Sequence, residues 1–167
     1  MYSPMKQEIV SVLVDNQANV LTRVISMFGR RGFNIDSLPV SPTNDPGLSR
    51  ITIAFTATEQ SMQQIITQTE KLEVVKSVML LDKRNSLYRE LLLLKVSAGA
   101  EERSSIKEVV DIYRAKIVDL TKTGMIIELT GTPEKLNAFM DVIGDYEITE
   151  VCRTGVAGIE GNFRKGE

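Results

Sequence analysis

The stretch Ile9–Pro42, IVSVLVDNQANVLTRVISMFGRRGFNIDSLPVSP, decides how the chain is organised. It opens with a nearly continuous apolar run at 9–14, which is typical of a strand buried on both faces. A polar loop at 15–19 follows, and Asn19 is placed where the N-cap of a helix is expected. The apolar residues then recur at helical spacing and form one stripe: Val20, Leu21, Val24, Ile25 and Phe28. The stretch therefore predicts a buried strand, an amphipathic helix and a second strand.

The second strand contains a change of phase. Phe33 and Ile35 occupy odd positions, whereas Leu38 and Val40 occupy even ones. One extra residue near 36–37 would restore the alternation, so the pattern predicts a β-bulge there. The loop–helix start and this bulge are the two irregular polar places in the stretch, and a small ligand is expected to bind at them.

Composition excludes several classes of protein. The chain has 167 residues, 43% hydrophobic and 25% charged, with a net charge of −2, which gives no basic field for nucleic acid. It has no His and one Cys, so a Ser-His-Asp triad, a Cys-His pair, an internal disulfide and the common zinc motifs are excluded. No segment has the pattern of a signal peptide or a spanning helix. We expect a cytoplasmic protein with neither a membrane nor a nucleic-acid partner.

The order of predicted elements repeats. Residues up to 82 read β-α-β-β-α-β, the polar run 82–86 breaks the pattern, and the same order follows. The sequence predicts an α+β protein of two ferredoxin-like βαββαβ modules, with domains at 1–82 and 83–167. Each small module is expected to pair with another. We interpret Gly155–Gly161 as a mobile tail and Cys152 as a small buried residue.

A free amino acid would suit the two irregular places. The backbone N–H groups of Val20, Leu21 and Thr22 begin a helix and can bind a carboxylate, and Asn16 adds an amide. Asn34 and Asp36 can accept hydrogen bonds from an ammonium group, in the same module or in a neighbouring one. The same pattern also fits a capped helix after a polar turn, with these two side chains facing solvent. The sequence has no pair of carboxylates whose spacing would indicate a catalytic or metal site.

The chain resembles a known family. The run Leu13–Ile53, and in it GFNIDSL and SRITI, closely resembles the start of the small regulatory subunit of acetolactate synthase (acetohydroxyacid synthase), which begins with an ACT domain. The later runs REL.LLKV (Arg89–Val96), IVDLT (Ile117–Thr121), ELTGTPEKLNAF (Glu128–Phe139) and EVCRTGVAGI (Glu150–Ile159) are similar to the same family. The resemblance covers almost the whole chain.

The resemblance implies a regulatory, non-catalytic subunit. Such a chain would activate a large subunit that carries thiamine diphosphate, Mg and FAD, and would transmit feedback inhibition by a branched-chain amino acid, valine foremost. It would bind no cofactor itself and would form a homodimer through its ACT domains. The implied effector contacts are Asn16, Asn19, Val20, Leu21 and Thr22 from one module and Asn34, Ile35 and Asp36 from the other. The family's usual Pro/Ser-Gly pair before this helix is replaced by Ala18-Asn19.

Three other functions fit parts of this pattern. A free-standing ACT-type amino-acid sensor would share the site but have no enzyme partner. A small enzyme on this scaffold lacks His and any acid–base pair. A double RNA-binding module would need stacking aromatic residues on its central strands, where residues 48–57 offer only Phe55.

Overall fold

The computed structural model describes residues 4–162, which divide into two units. One unit contains residues 4–87 and 155–162, and the other contains Tyr88–Thr154. The first unit has the elements β1 (Lys6–Asp15), α1 (Val20–Arg30), β2 (Ile35–Ser37), β3 (Val40–Pro42), β4 (Leu48–Ala57), α2 (Glu59–Glu70) and β5 (Val75–Leu80). The second follows with β6 (Ser86–Ser97, which begins in the first unit), α3 (Arg103–Ile112), β7 (Lys116–Leu120), β8 (Gly124–Gly131), α4 (Pro133–Ile143) and β9 (Glu147–Arg153). A short strand, β10 (Ala157–Glu160), belongs to the first unit.

The prediction of two ferredoxin-like modules is confirmed. The first sheet is antiparallel with the order β2-β4-β1-β5, and β3 also pairs with β4. In the second, β6 pairs with β8 and β9, and β8 pairs with β7. The described residues contain no helix that is long and apolar enough to span a membrane.

The core of the first unit lies between its sheet and its two helices. Val12, Ile53 and Phe55 are fully buried on the sheet, and Phe28 of α1 contacts Phe55 edge to face with ring centroids 5.2 Å apart. Full burial of such a side chain contributes about 1.5–3 kcal/mol. The predicted stripe of α1 is correct for Val20, Val24 and Phe28, whereas Leu21 is 36% exposed.

The opposite face of this sheet is also buried. Ile9 and Ala54 are paired across β1 and β4 and are 4% and 2% exposed. The segment Gly155–Gly161, called the return segment below, contacts this unit: β10 lies near β1, and Val156 is 3% exposed. The prediction of a mobile tail is therefore wrong, because the segment forms the strand β10 and because Val156, directly before that strand, is buried.

The predicted bulge is present. Ile35 pairs with Phe55 and Ser37 pairs with Ala54, so Asp36 is the extra residue between them. Paired residues share one face of a sheet, so Ile35 points towards the helices and Ser37 towards the opposite face. The bulge lies on an edge strand, because β2 has β4 as its only strand neighbour among the described residues.

The second unit packs its helices in the same way around Leu92, Ile127 and Phe139. Thr132 caps α4, its side chain accepting from the Lys135 N–H at 3.2 Å. Cys152 is exposed, so the prediction that it is buried is wrong. The register pairs it with Leu93, and this pair faces away from the core that Leu92 and Leu94 enter.

Candidate functional site

The loop–helix start is fixed by the hairpin beside it. The Asn16 N–H donates to the Gly47 carbonyl at 2.9 Å, and the Asn16 Nδ2 donates to the Pro46 carbonyl at 3.0 Å. The Asn16 amide nitrogen, which was predicted to contact a ligand, is therefore hydrogen-bonded to the turn at 46–47. The Asn16 Oδ1 has no partner among residues 4–162. Asn16 thus positions the loop as well as offering an acceptor.

Asn19 begins α1 in an unusual conformation. Its φ is 69°, in the left-handed region, and its side chain makes no capping hydrogen bond. Asn19 is the N-cap residue of α1, as predicted, but its backbone is left-handed rather than extended, which is the conformation in which an N-cap side chain normally accepts from the first N–H groups. A left-handed backbone normally favours glycine, and Asn tolerates it better than other residues. Asn19 thus adopts the backbone form that the family's glycine suits.

The first turn of α1 leaves donors available to an anion. The N–H groups of Val20, Leu21 and Thr22 have no backbone acceptor within the described chain, and the first bond is from Arg23 to the Asn19 carbonyl at 3.1 Å. No acidic residue occupies this turn. Val20 is 4% exposed and belongs to the core, so it can contribute only its backbone. This geometry fits recognition of a carboxylate.

A cationic groove lies beside these donors. Asn19 and Thr22 line a cavity of about 730 Å³ between α1 and α2, together with Arg23, Arg30 and Arg31. None of the three guanidinium groups has a carboxylate partner in the described part of the chain. Arg23 was not among the residues predicted to form the site, although its position one turn after Asn19 places it on the same side of the helix.

The strand half of the site is tethered. The Asp36 Oδ2 accepts from the Gln7 Nε2 at 3.0 Å and from the Thr56 Oγ1 at 3.2 Å, so Asp36 does not simply face solvent. Its Oδ1 has no partner within residues 4–162. The exposed Asn34 side chain has none there either. Ile35 is half-buried against the core. Gln7 and Thr56 were not predicted to contact Asp36, because only the register of three neighbouring strands brings them to it.

A single copy does not bring the two halves together. Asp36 is bonded to Gln7 near the start of β1, whereas Asn16 directly follows the end of β1. At about 3.3 Å per residue, the strand places positions 7 and 16 about 30 Å apart. The predicted contacts of Asn16, Asn19, Val20, Leu21 and Thr22 are thus far from those of Asn34, Ile35 and Asp36 in the same chain.

Comparisons with known proteins agree with this architecture. Residues 10–77 match the family described as "AHAS small subunit-like ACT domain", and residues 89–162 match "Small subunit of acetolactate synthase". The first unit is therefore an ACT domain, with its polar loop–helix junction and its bulged edge strand, and a second ferredoxin-like module follows it.

Relatives cover nearly the whole chain. The acetolactate synthase small subunit of Mycolicibacterium smegmatis is 43% identical over 150 residues, covering 90% of this chain and 88% of the relative. The isozyme 3 small subunit of Escherichia coli is 41% identical over 154 residues, covering 92% and 94%. The crystal structure of the Thermotoga maritima small subunit has a TM-score of 0.85 at 36% identity, covering 93% and 97%. The chain belongs to the family of acetolactate synthase small subunits.

Proposed function

We propose that this chain is a non-catalytic regulatory subunit that activates the large subunit of acetolactate synthase and confers feedback inhibition by a branched-chain amino acid, valine foremost. The observation that carries the proposal is the relation to small subunits over 90% or more of the chain. Thiamine diphosphate, Mg and FAD belong to the large subunit in this proposal, and the small subunit contributes no cofactor. The complex operates in the cytoplasm.

The effector site forms between two copies of the ACT domain. The separation of about 30 Å within one chain supports this, because only a second copy can supply the missing half. One copy contributes the N–H groups at the start of α1, which receive the amino acid's carboxylate. The other contributes the free Oδ1 of Asp36 and the Asn34 side chain, which accept from the ammonium group. Leu21 and Ile35 are the apolar neighbours of the effector's side chain.

The edge strand β2 is the surface through which the two copies pair. An edge strand has unpaired backbone groups, and pairing them with a second copy satisfies those groups while carrying residues 34–36 to the neighbour's helix start. The effector then acts by linkage, since it binds one arrangement of the paired domains more tightly and shifts the holoenzyme towards it. The second module contributes to engagement of the large subunit.

The test is the activity of the cognate large subunit with and without this chain across a valine titration. We expect activation by the chain and reversal of that activation by valine. Activation that valine leaves unchanged would retain the subunit role and contradict the effector role. An absence of activation, together with direct binding of valine to the chain alone, would instead favour a free-standing sensor.

A further inference from the structure

We infer that Gly155 and the return segment position the bulged strand β2, and so set how strongly the half-site Asn34–Asp36 binds the effector. This inference rests on the proposed function, which it extends to residues more than a hundred positions away in sequence. Gly155 and Ser37 act here as positioning residues, because neither belongs to the proposed set of effector contacts.

The contact between the return segment and β2 is close. Gly155 is buried, and a Cβ added to it would lie 2.8 Å from the Ser37 Cβ and 3.1 Å from the Pro39 Cδ. The next residue donates its N–H to the Ser37 Oγ at 3.4 Å, a long hydrogen bond, and its side chain, Val156, is 3% exposed. The backbone of the return segment therefore touches β2 where a side chain could not be accommodated.

The position of Ser37 makes this contact relevant to the half-site. Asp36 is the unpaired residue of the bulge, so its orientation depends on the residues on either side. Ile35 is held on the helix side by the core of the first unit. Ser37 points to the opposite face, where it meets Gly155 and Val156. The core and the return segment thus restrain the bulge from its two sides.

Glycine is required at position 155 for two separable reasons. Its φ is +83°, which side chains rarely adopt, and the space beside it is filled by Ser37 and Pro39. Gly32 provides a matched control, because its φ is +74° but an added Cβ would meet nothing within 4 Å. Comparing Gly155→Ala with Gly32→Ala therefore separates the effect of the contact from the effect of the backbone conformation.

The experiment measures two quantities for each variant. One is the valine concentration that half-reverses activation of the large subunit, and the other is amide hydrogen exchange at residues 35–37 in the chain without valine. We expect Gly155→Ala to raise the valine midpoint at least about fivefold, the lower end of typical coupling, while activation is retained. We also expect faster exchange at 35–37, and neither change in Gly32→Ala.

A second variant tests the contact directly. Ser37→Gly removes the atom nearest to the added Cβ, so the double variant Ser37→Gly/Gly155→Ala should recover part of the wild-type midpoint and exchange rate. If Gly155→Ala does not fold, Ser37→Ala removes only the Oγ acceptor and should still speed exchange at 35–37 and at Val156.

The outcomes distinguish this inference from the proposed function. If the valine midpoint and the exchange rates of Gly155→Ala equal those of Gly32→Ala, the inference is overturned. The proposed function is unaffected by that result. If the wild-type complex does not respond to valine, the proposed function fails. Exchange at 35–37 then still decides whether the return segment positions β2.

Discussion

The ion pair between Glu90 and Arg153 offers a quantitative test of what holds the second unit together. The Arg153 Nε and Nη2 donate to the two Glu90 carboxylate oxygens, each at 2.9 Å, and the Nη1 donates to the Asn137 Oδ1 of α4 at 2.7 Å. The Glu90 side chain is 7% exposed and that of Arg153 is 30% exposed. The pair therefore links β6, β9 and α4 through a carboxylate that water barely reaches.

Arg153→Ala should destabilise this unit strongly. Removing one partner of a buried pair costs about 3–5 kcal/mol, and we expect about 3 kcal/mol because Arg153 is partly exposed. For a unit of this size, about 4–8 °C of melting temperature corresponds to each kcal/mol, so the unit's transition should fall by about 12–24 °C. Calorimetry of the chain alone measures the change.

Two controls make the test decisive. Lys107→Ala removes an exposed pair, in which the Lys107 Nζ lies 2.7 Å from an Asp111 oxygen, and should cost no more than about 0.5 kcal/mol. The double variant Glu90→Leu/Arg153→Met replaces the charges with apolar groups and should lie within about 1 kcal/mol of the wild type. The reasoning is refuted if Arg153→Ala behaves like Lys107→Ala, or if the double variant is as unstable as Arg153→Ala.

Three further predictions concern the site and the surface. Asn34→Ala should weaken the valine response while largely retaining activation, and equal loss of both in the activity assay would contradict the proposed division of roles. Asn19→Gly should leave folding intact and lower the valine midpoint, since the left-handed backbone is kept and the side chain is removed, whereas Asn19→Ala should cost about 1–2 kcal/mol in denaturant unfolding. The hydrogen bond from Lys95 lowers the pKa of the Glu150 carboxyl, so its contribution to stability is present above the usual pKa of 4.5 and is lost as the pH falls through the lowered value. In an NMR titration, Lys95→Met should return that pKa towards 4.5, and an unchanged pKa would argue against the hydrogen bond as its cause.

The order of elements and the bulge could be predicted because both follow from the spacing of apolar residues over short stretches of sequence. The change of phase between Ile35 and Leu38 requires one extra residue, whatever the rest of the fold does. The capping of α4 by Thr132 is equally local. Such features are determined by residues only a few positions apart, so they can be predicted from a single sequence.

The features that the sequence did not predict depend on distant contacts or on a backbone angle. The return segment contains glycines that weaken a strand, and its buried residue Val156 contacts Ser37, which is 119 positions away in sequence. Asn19 is favoured both at an N-cap and in the left-handed region, so its identity does not distinguish the two. The separation of the two half-sites follows from the length of β1 and the register at Gln7, which no motif encodes.

The division of the chain has a consequence for its synthesis. The unit that contains residues 4–87 also contains the segment Gly155–Gly161, which is made only after the whole of the second unit. At about 5–20 residues per second, roughly 3–14 s separate translation of residue 87 from that of residue 155. During that interval the nascent ACT domain has its two helices but lacks the return segment, whose Val156 is buried beside Ser37 in the finished chain. The first unit is thus begun before the second and completed after it, and a chain that ended at residue 82 would lack its final strand, β10.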